Sequence, residues 1–250
     1  MQLRKLVLVL GLAMVLGGCG EKDNTEEQQG MQQKEQQKEQ QEISQNTYEG
    51  IYDDFLEKIY NFIVNSPDDL VDMGGMGGIY EAAIGKSSRE TLSAVGYHIQ
   101  DLNGDEIPEL MLGEISENRD GKSYGKMVYS LYTYVDGEPK LVFEGFYRNR
   151  YEWMGDGKFY YTGSGSAIYS MFGTYELSSD GTELISNGYY FSHEKDEDFT
   201  EIGYYYNTSG KWDIDVSEEI TNPETNFWPV MRELERETKE VEWITFENLK

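Results

Sequence analysis

The chain has 250 residues, 47 acidic against 21 basic side chains, a net charge of −26, two His and a single Cys. That length holds one sizeable domain with a real core. The acid excess excludes nucleic acid as a partner, because each phosphate contact needs a Lys or Arg. The lone Cys excludes an intramolecular disulfide framework and any multi-Cys zinc site.

Residues 1–19 read MQLRKLVLVLGLAMVLGGC. Arg4 and Lys5 form a positive n-region, and residues 6–18 form an uncharged apolar run. That run is shorter than the roughly 20 residues needed to span a bilayer, and it has the length of a signal-peptide h-region. It ends in Leu16-Gly17-Gly18-Cys19, which resembles the lipobox of bacterial lipoproteins. The resemblance implies that residues 1–18 are a signal peptide and that Cys19 carries the lipid. The protein is then expected at the cell membrane, lipid-anchored and facing outside the cytoplasm. Its surface has no basic excess to draw it to anionic lipid, so the acyl chains have to supply the attachment.

Residues 21–46 are almost wholly Glu, Gln, Lys and Asn, and 32–42 (QQKEQQKEQQE) repeat a four-residue unit. With no apolar a/d seam for a coiled coil, residues 19–46 read as the lipidated Cys followed by a disordered polar tether. The composition changes at residue 47, and 47–250 read as one α+β domain. Ile51, Phe55, Leu56, Ile59, Phe62 and Ile63 fall on one face of a helix over 48–65, stopped by Ser66-Pro67. The run MGGMGG at 73–78 reads as a mobile connector, followed by short helices around 79–84 and from Ser88.

From Val95 the hydrophobic period becomes two. Strands are predicted at 95–100, 108–115, 127–135, 140–147, 158–162, 167–177, 183–191, 201–206 and 211–216. Asp136-Gly137, Asp156-Gly157, Asp180-Gly181 and Ser209-Gly210 are the turn dipeptides between them. They predict a mainly antiparallel, tyrosine-rich β-meander in which alternation sends at least half of the clustered aromatics into the core. A helix over 226–239 and a strand over 241–246 close the chain. Pro229 fits that helix only in its first turn.

One segment carries a metal-binding pattern. Asp101, Asn103, Asp105 and Glu109 put oxygen side chains at positions 1, 3, 5 and 9 of a nine-residue loop, and Ile107 can add its carbonyl at position 7. Hard Ca²⁺ takes six to eight oxygens, and three carboxylates this close repel one another without a cation. An EF-hand needs Gly at position 6 and Glu at position 12, where this chain has Glu106 and Leu112, and its flanks read as strands. The loop resembles the strand–loop–strand calcium sites of integrin-type FG-GAP repeats. It is also similar to the D-x-N/D-G-D-x-x-P-E-L segment of uncharacterised lipoproteins of Gram-positive bacteria, matched by Asp101, Asn103, Gly104, Asp105, Pro108, Glu109 and Leu110. The resemblance implies calcium binding and carries no activity. A single copy argues against a propeller, and a metal-free Asx-turn hairpin is the plain alternative.

Gly163-Ser164-Gly165-Ser166 lacks the context of a nucleophile elbow and the Lys of a phosphate loop, so it reads as a connection between strands. His98 reads as a packed or surface residue, and His193 as part of a solvated acidic turn. The expected function is a non-enzymatic extracytoplasmic binding or interaction module with a weak calcium loop and an unknown extracellular ligand or protein partner. The alternative is a surface hydrolase acting on cell-wall or extracellular polymer through unidentified carboxylates.

Overall fold

The computed structural model describes residues 50–65 and 74–249. Cys19, the signal-peptide segment and the tether lie outside the described residues.

Helix α1 (Asp53–Asn65) buries Leu56, Ile59 and Ile63, the stripe that its 3.6-residue period creates. α2 (Gly77–Ala83) follows, then α3 (Ser88–Ala94), which opens on a capping box. Ser87 accepts from the Glu90 N–H, and the Glu90 carboxylate accepts from the Ser87 N–H. Residues 74–78 of the MGGMGG segment depart from the connector expected of it, Gly77 and Gly78 opening α2. Met76 is 1% exposed, and the Gly77 N–H donates to Glu144 Oε1 at 2.7 Å. A Cβ on Gly78 would lie 2.3 Å from the Tyr129 ring, so glycine is what lets this backbone lie flat against the strands.

Thirteen strands form one sheet among the described residues. They are β1 (Val95–Gln100), β2 (Glu109–Glu114), β3 (Glu117–Arg119), β4 (Lys122–Gly125), β5 (Met127–Val135), β6 (Glu138–Glu144) and β7 (Asn149–Gly155). β8 (Lys158–Ser164), β9 (Ser170–Leu177), β10 (Leu184–Glu194), β11 (Ile202–Asn207), β12 (Glu218–Glu219) and β13 (Val241–Thr245) complete it. The order is β12-β11-β10-β9-β8-β7-β5-β2-β1-β13-β4-β3, with β6 paired to β5, and every pairing is antiparallel. The α+β class is as the sequence predicts.

Three strand expectations change. β3 and β4 join through Asp120-Gly121, both at positive φ, and were masked in the sequence by polar residues. β7 interleaves the charged Arg150 and Glu152 with Tyr151 and Trp153, which breaks the apolar run without breaking the pairing. Residues 211–216 do not form a strand. Asp213 Oδ1 accepts from the Asp215 N–H and caps a 3₁₀ turn over Ile214–Val216 instead. α4 (Pro223–Asn226) and α5 (Trp228–Glu237) follow β12, with Pro229 in the first turn of α5 as its fixed φ requires.

Alternation along the strands gives the sheet two faces. Leu110, Leu112, Tyr129 and Tyr132 pack under α1–α3. Further along the same chain path, Tyr160, Phe172, Tyr190 and Tyr204 receive Phe227 and α5. On opposite faces of their strands lie Met111, Val128 and Leu131, in one cluster with Phe159, Leu177 and Leu102. β2 and β9 stand four places apart in the strand order, so this shared cluster requires the sheet to curl over that face. Tyr161, Tyr175, Tyr189, Phe191 and Tyr205 extend the apolar surface as an aromatic array.

Candidate metal centre

β1 and β2 form a hairpin whose connection is the acidic loop, with Gln100 opposite Glu109 in the ladder. The loop's carboxylates are organised by its own backbone. The Asp101 carboxylate accepts from the Gly104 N–H (2.7 Å) and the Glu106 N–H (3.0 Å). Asn103 Oδ1 accepts from the Asp105 N–H (3.2 Å), and Asp105 Oδ1 accepts from the Ile107 N–H (2.8 Å). Gly104 and Glu106 both take positive φ, at 82° and 72°. Gly does so freely, whereas Glu106 is held there at a steric cost.

Glu109 begins β2 with no exposed surface. Its Oε2 accepts from the Leu102 N–H at 2.8 Å, and its Oε1 lies 3.4 Å from the Thr133 hydroxyl that donates to it. Burial pushes this carboxyl up to about 8, and the charges of Asp105 and Asp101 push in the same direction, against the Leu102 hydrogen bond. The loop thus combines two half-exposed aspartates with one buried glutamate that resists ionisation.

Other elements fix the loop, and sequence inspection did not single them out. Asn103 Nδ2 donates to the Ser178 carbonyl in the β9–β10 connection at 3.1 Å. Gly181 in that connection comes so close that a Cβ there would sit 2.9 Å from both Glu109 Oε1 and Thr133 Oγ1. The Tyr52 hydroxyl, just before α1, donates to the Pro108 carbonyl at 2.9 Å. Burial and the nearby Glu109 charge raise that phenol far above its ordinary value. The sequence signal for Gly181 was the Asp180-Gly181 dipeptide, which marked a turn but not what the turn touches.

Asp101, Asn103, Asp105, Ile107 and Glu109 are therefore gathered in one loop, with the Ile107 N–H committed to Asp105. Among the described residues no group of three or more His, Cys, Asp or Glu side chains is drawn together as a ready metal centre. The donor set is all oxygen, and each carboxylate or amide oxygen that accepts one N–H retains a second lone pair, which suits a hard cation.

The two histidines are elsewhere. His98 Nδ1 lies 3.0 Å from the Glu242 carbonyl and Nε2 lies 3.1 Å from Gln100 Oε1, a surface role on the sheet. His193 is not in a solvated turn. It lies within β10 opposite Gly203, with its ring 5.4 Å from that of Trp212. Residues 163–166 end β8 and enter the β8–β9 connection. No helix among the described residues is long and apolar enough to cross a membrane. Comparison of the chain with protein-family models, with curated proteins and with solved structures finds no match in any of the three.

Proposed function

We propose that the protein is a lipid-anchored extracytoplasmic binding module whose Asp101–Glu109 loop is closed by a calcium ion. The observation that carries the calcium reading is Glu109, a carboxylate without exposed surface that shares its loop with Asp101 and Asp105. A divalent cation would offset the burial and the Asp101 and Asp105 charges that hold Glu109 unionised. Asp101, Asn103, Asp105 and Glu109 supply side-chain oxygens, and Ile107 supplies its carbonyl. The ion then ties β1 to β2 and, through Asn103 and Gly181, to the β9–β10 connection. Its role is structural, and it supplies no reaction. The resemblance of Leu16–Cys19 to a lipobox supports the anchor.

The binding-module reading is supported by a cleft lined by Arg148, Arg150 and hydroxyl groups, with no carboxylate pair of the kind a glycosidase needs in its lining. Extracellular calcium modules bind in the roughly 10⁻⁴–10⁻³ M range, so about 5 mM Ca²⁺ stabilises the fold by ~1–2 kcal/mol, or ~2–8 °C in Tm. Differential scanning calorimetry with Ca²⁺ and with EDTA reads this directly. Glu109→Gln, which keeps the shape, and Asp101→Asn are expected to remove the shift while leaving a folded protein. An unchanged Tm in wild type at that concentration overturns the calcium reading.

A further inference from the structure

At the ends of β7 and β8 away from the acidic loop, the surface opens into a cleft of about 560 Å³. Tyr147, Arg148, Arg150, Thr162, Ser164 and Ser166 line it. Arg148 sits in the 146–149 turn and Arg150 in β7, two residues on, and both line this cleft. Tyr151, the next residue, is stacked 4.2 Å from Phe143. Across the ladder Arg150 faces Thr162, and the Ser164 N–H donates to the Arg148 carbonyl, which brings the hydroxyl residues opposite the two guanidinium groups.

Arg119 pairs with Glu117 and Glu240, Lys122 with Glu242, and Lys195 with Glu201 and Glu219. Arg148 has no side-chain hydrogen bond or ion pair among the described residues, and Arg150 has one exposed contact, 3.5 Å from Glu152. Such a contact contributes little. Two largely uncommitted guanidinium forks in one concavity form a receptor for an oxyanion. Beside them, the turn at 146–149 is pinned by reciprocal Phe146–Asn149 backbone bonds of 2.8 Å, and the Tyr147 N–H donates to Glu81. The Tyr147 backbone is thereby fixed while the residue stays 77% exposed. A solvent-facing aromatic side chain on a held backbone offers an apolar face with a polar tip.

We propose that this cleft binds an anionic saccharide, its carboxylate, phosphate or sulfate held by Arg148 and Arg150 and its ring laid on Tyr147. The Thr162, Ser164 and Ser166 hydroxyls match the hydroxyls of a sugar better than the flat apolar surface of a base. The proposal rests on the binding-module reading and names its ligand. It is independent of the calcium loop, which meets the opposite ends of these strands at the Gly157 turn.

Isothermal titration of the whole protein with glucuronate, glucose 6-phosphate, glucose, inorganic phosphate and AMP, each with Ca²⁺ and with EDTA, tests it. Both acidic sugars are expected to bind at least about tenfold more tightly than glucose and than free phosphate. Arg148→Ala with Arg150→Ala is expected to weaken them about tenfold or more at unchanged Tm. Tyr147→Ala is expected to weaken the acidic sugars and leave phosphate unaffected. No binding of either acidic sugar up to about 20 mM, equal binding by the double variant, or tighter binding of AMP overturns the proposal. A lost calcium shift with sugar binding intact overturns the calcium loop alone, and the converse overturns the cleft alone.

Discussion

Gly181 shows how one residue joins separate parts of this protein. Its φ of +69° is one that L side chains rarely adopt, and a Cβ there would meet Glu109 and Thr133 at 2.9 Å. Gly181→Ala therefore combines backbone strain with a clash against the buried carboxylate, and is expected to cost ~1–3 kcal/mol in urea denaturation and to blunt the calcium response. An Ala variant as stable as wild type would show that the β9–β10 connection does not press on the loop. The residue types of the candidate site were legible at this scale, since alternating oxygens at 101, 103, 105 and 109 stand in plain view. Their environment was not. That Glu109 has no exposed surface follows from Thr133 and Gly181, which are distant in the chain. No local pattern encodes which turn will cover which side chain.

At the scale of elements, local signals sufficed where they act locally. The helix α3 begins where Ser87 and Glu90 can close a capping box, a pattern that depends on four residues alone. Ser87→Ala is expected to cost about 1 kcal/mol, read as a lower midpoint in urea denaturation, since Glu90 then has no hydroxyl to bond. The turns at Asp136-Gly137 and Asp156-Gly157 likewise formed as predicted, with both residues of each at positive φ. Strand predictions failed where burial is one-sided or brief. β3 and β4 are three and four residues long near an edge and have few apolar side chains. β7 hides its core residues Tyr151 and Trp153 between charges. Residues 211–216 erred the other way, because Trp212, Ile214 and Val216 alternate like a strand yet stay exposed. The connector at 74–78 is packed for a tertiary reason, the closeness of Tyr129 and Tyr132.

Over the whole molecule the tyrosines set the response to alkali. Burial raises Tyr52, Tyr129, Tyr132, Tyr151, Tyr160 and Tyr189, and raises Tyr175 to about 12. The native chain keeps these protons after the unfolded chain has released them. The stabilisation is complete below the ordinary tyrosine value of about 10 and is lost as pH rises from there toward 12, at about 1.4 kcal/mol per pH unit for each phenol held neutral. A steep cooperative unfolding above pH ~10, with tyrosinate absorbance appearing together with the loss of circular dichroism, is the expected result. Gradual, independent ionisation in a folded protein would contradict it. The proposed anchor belongs to this scale too: Cys19→Ala is expected to move the protein from the membrane fraction to the soluble one, and retention in the membrane would refute lipidation.

Composition, period and turn dipeptides determined that this chain forms an α+β domain with an antiparallel, tyrosine-rich sheet, because helix and strand periods and positive-φ turns act over a few residues. The same sequence displayed the oxygen pattern of the acidic loop. Tertiary structure alone decided that β13 enters between β1 and β4, that the sheet curls until Leu102 meets Phe159 and Leu177, and that Arg148 and Arg150 open on a hydroxyl-lined cleft. These depend on which distant surfaces exclude water together, and burial is a property of the whole assembled chain rather than of any window along it.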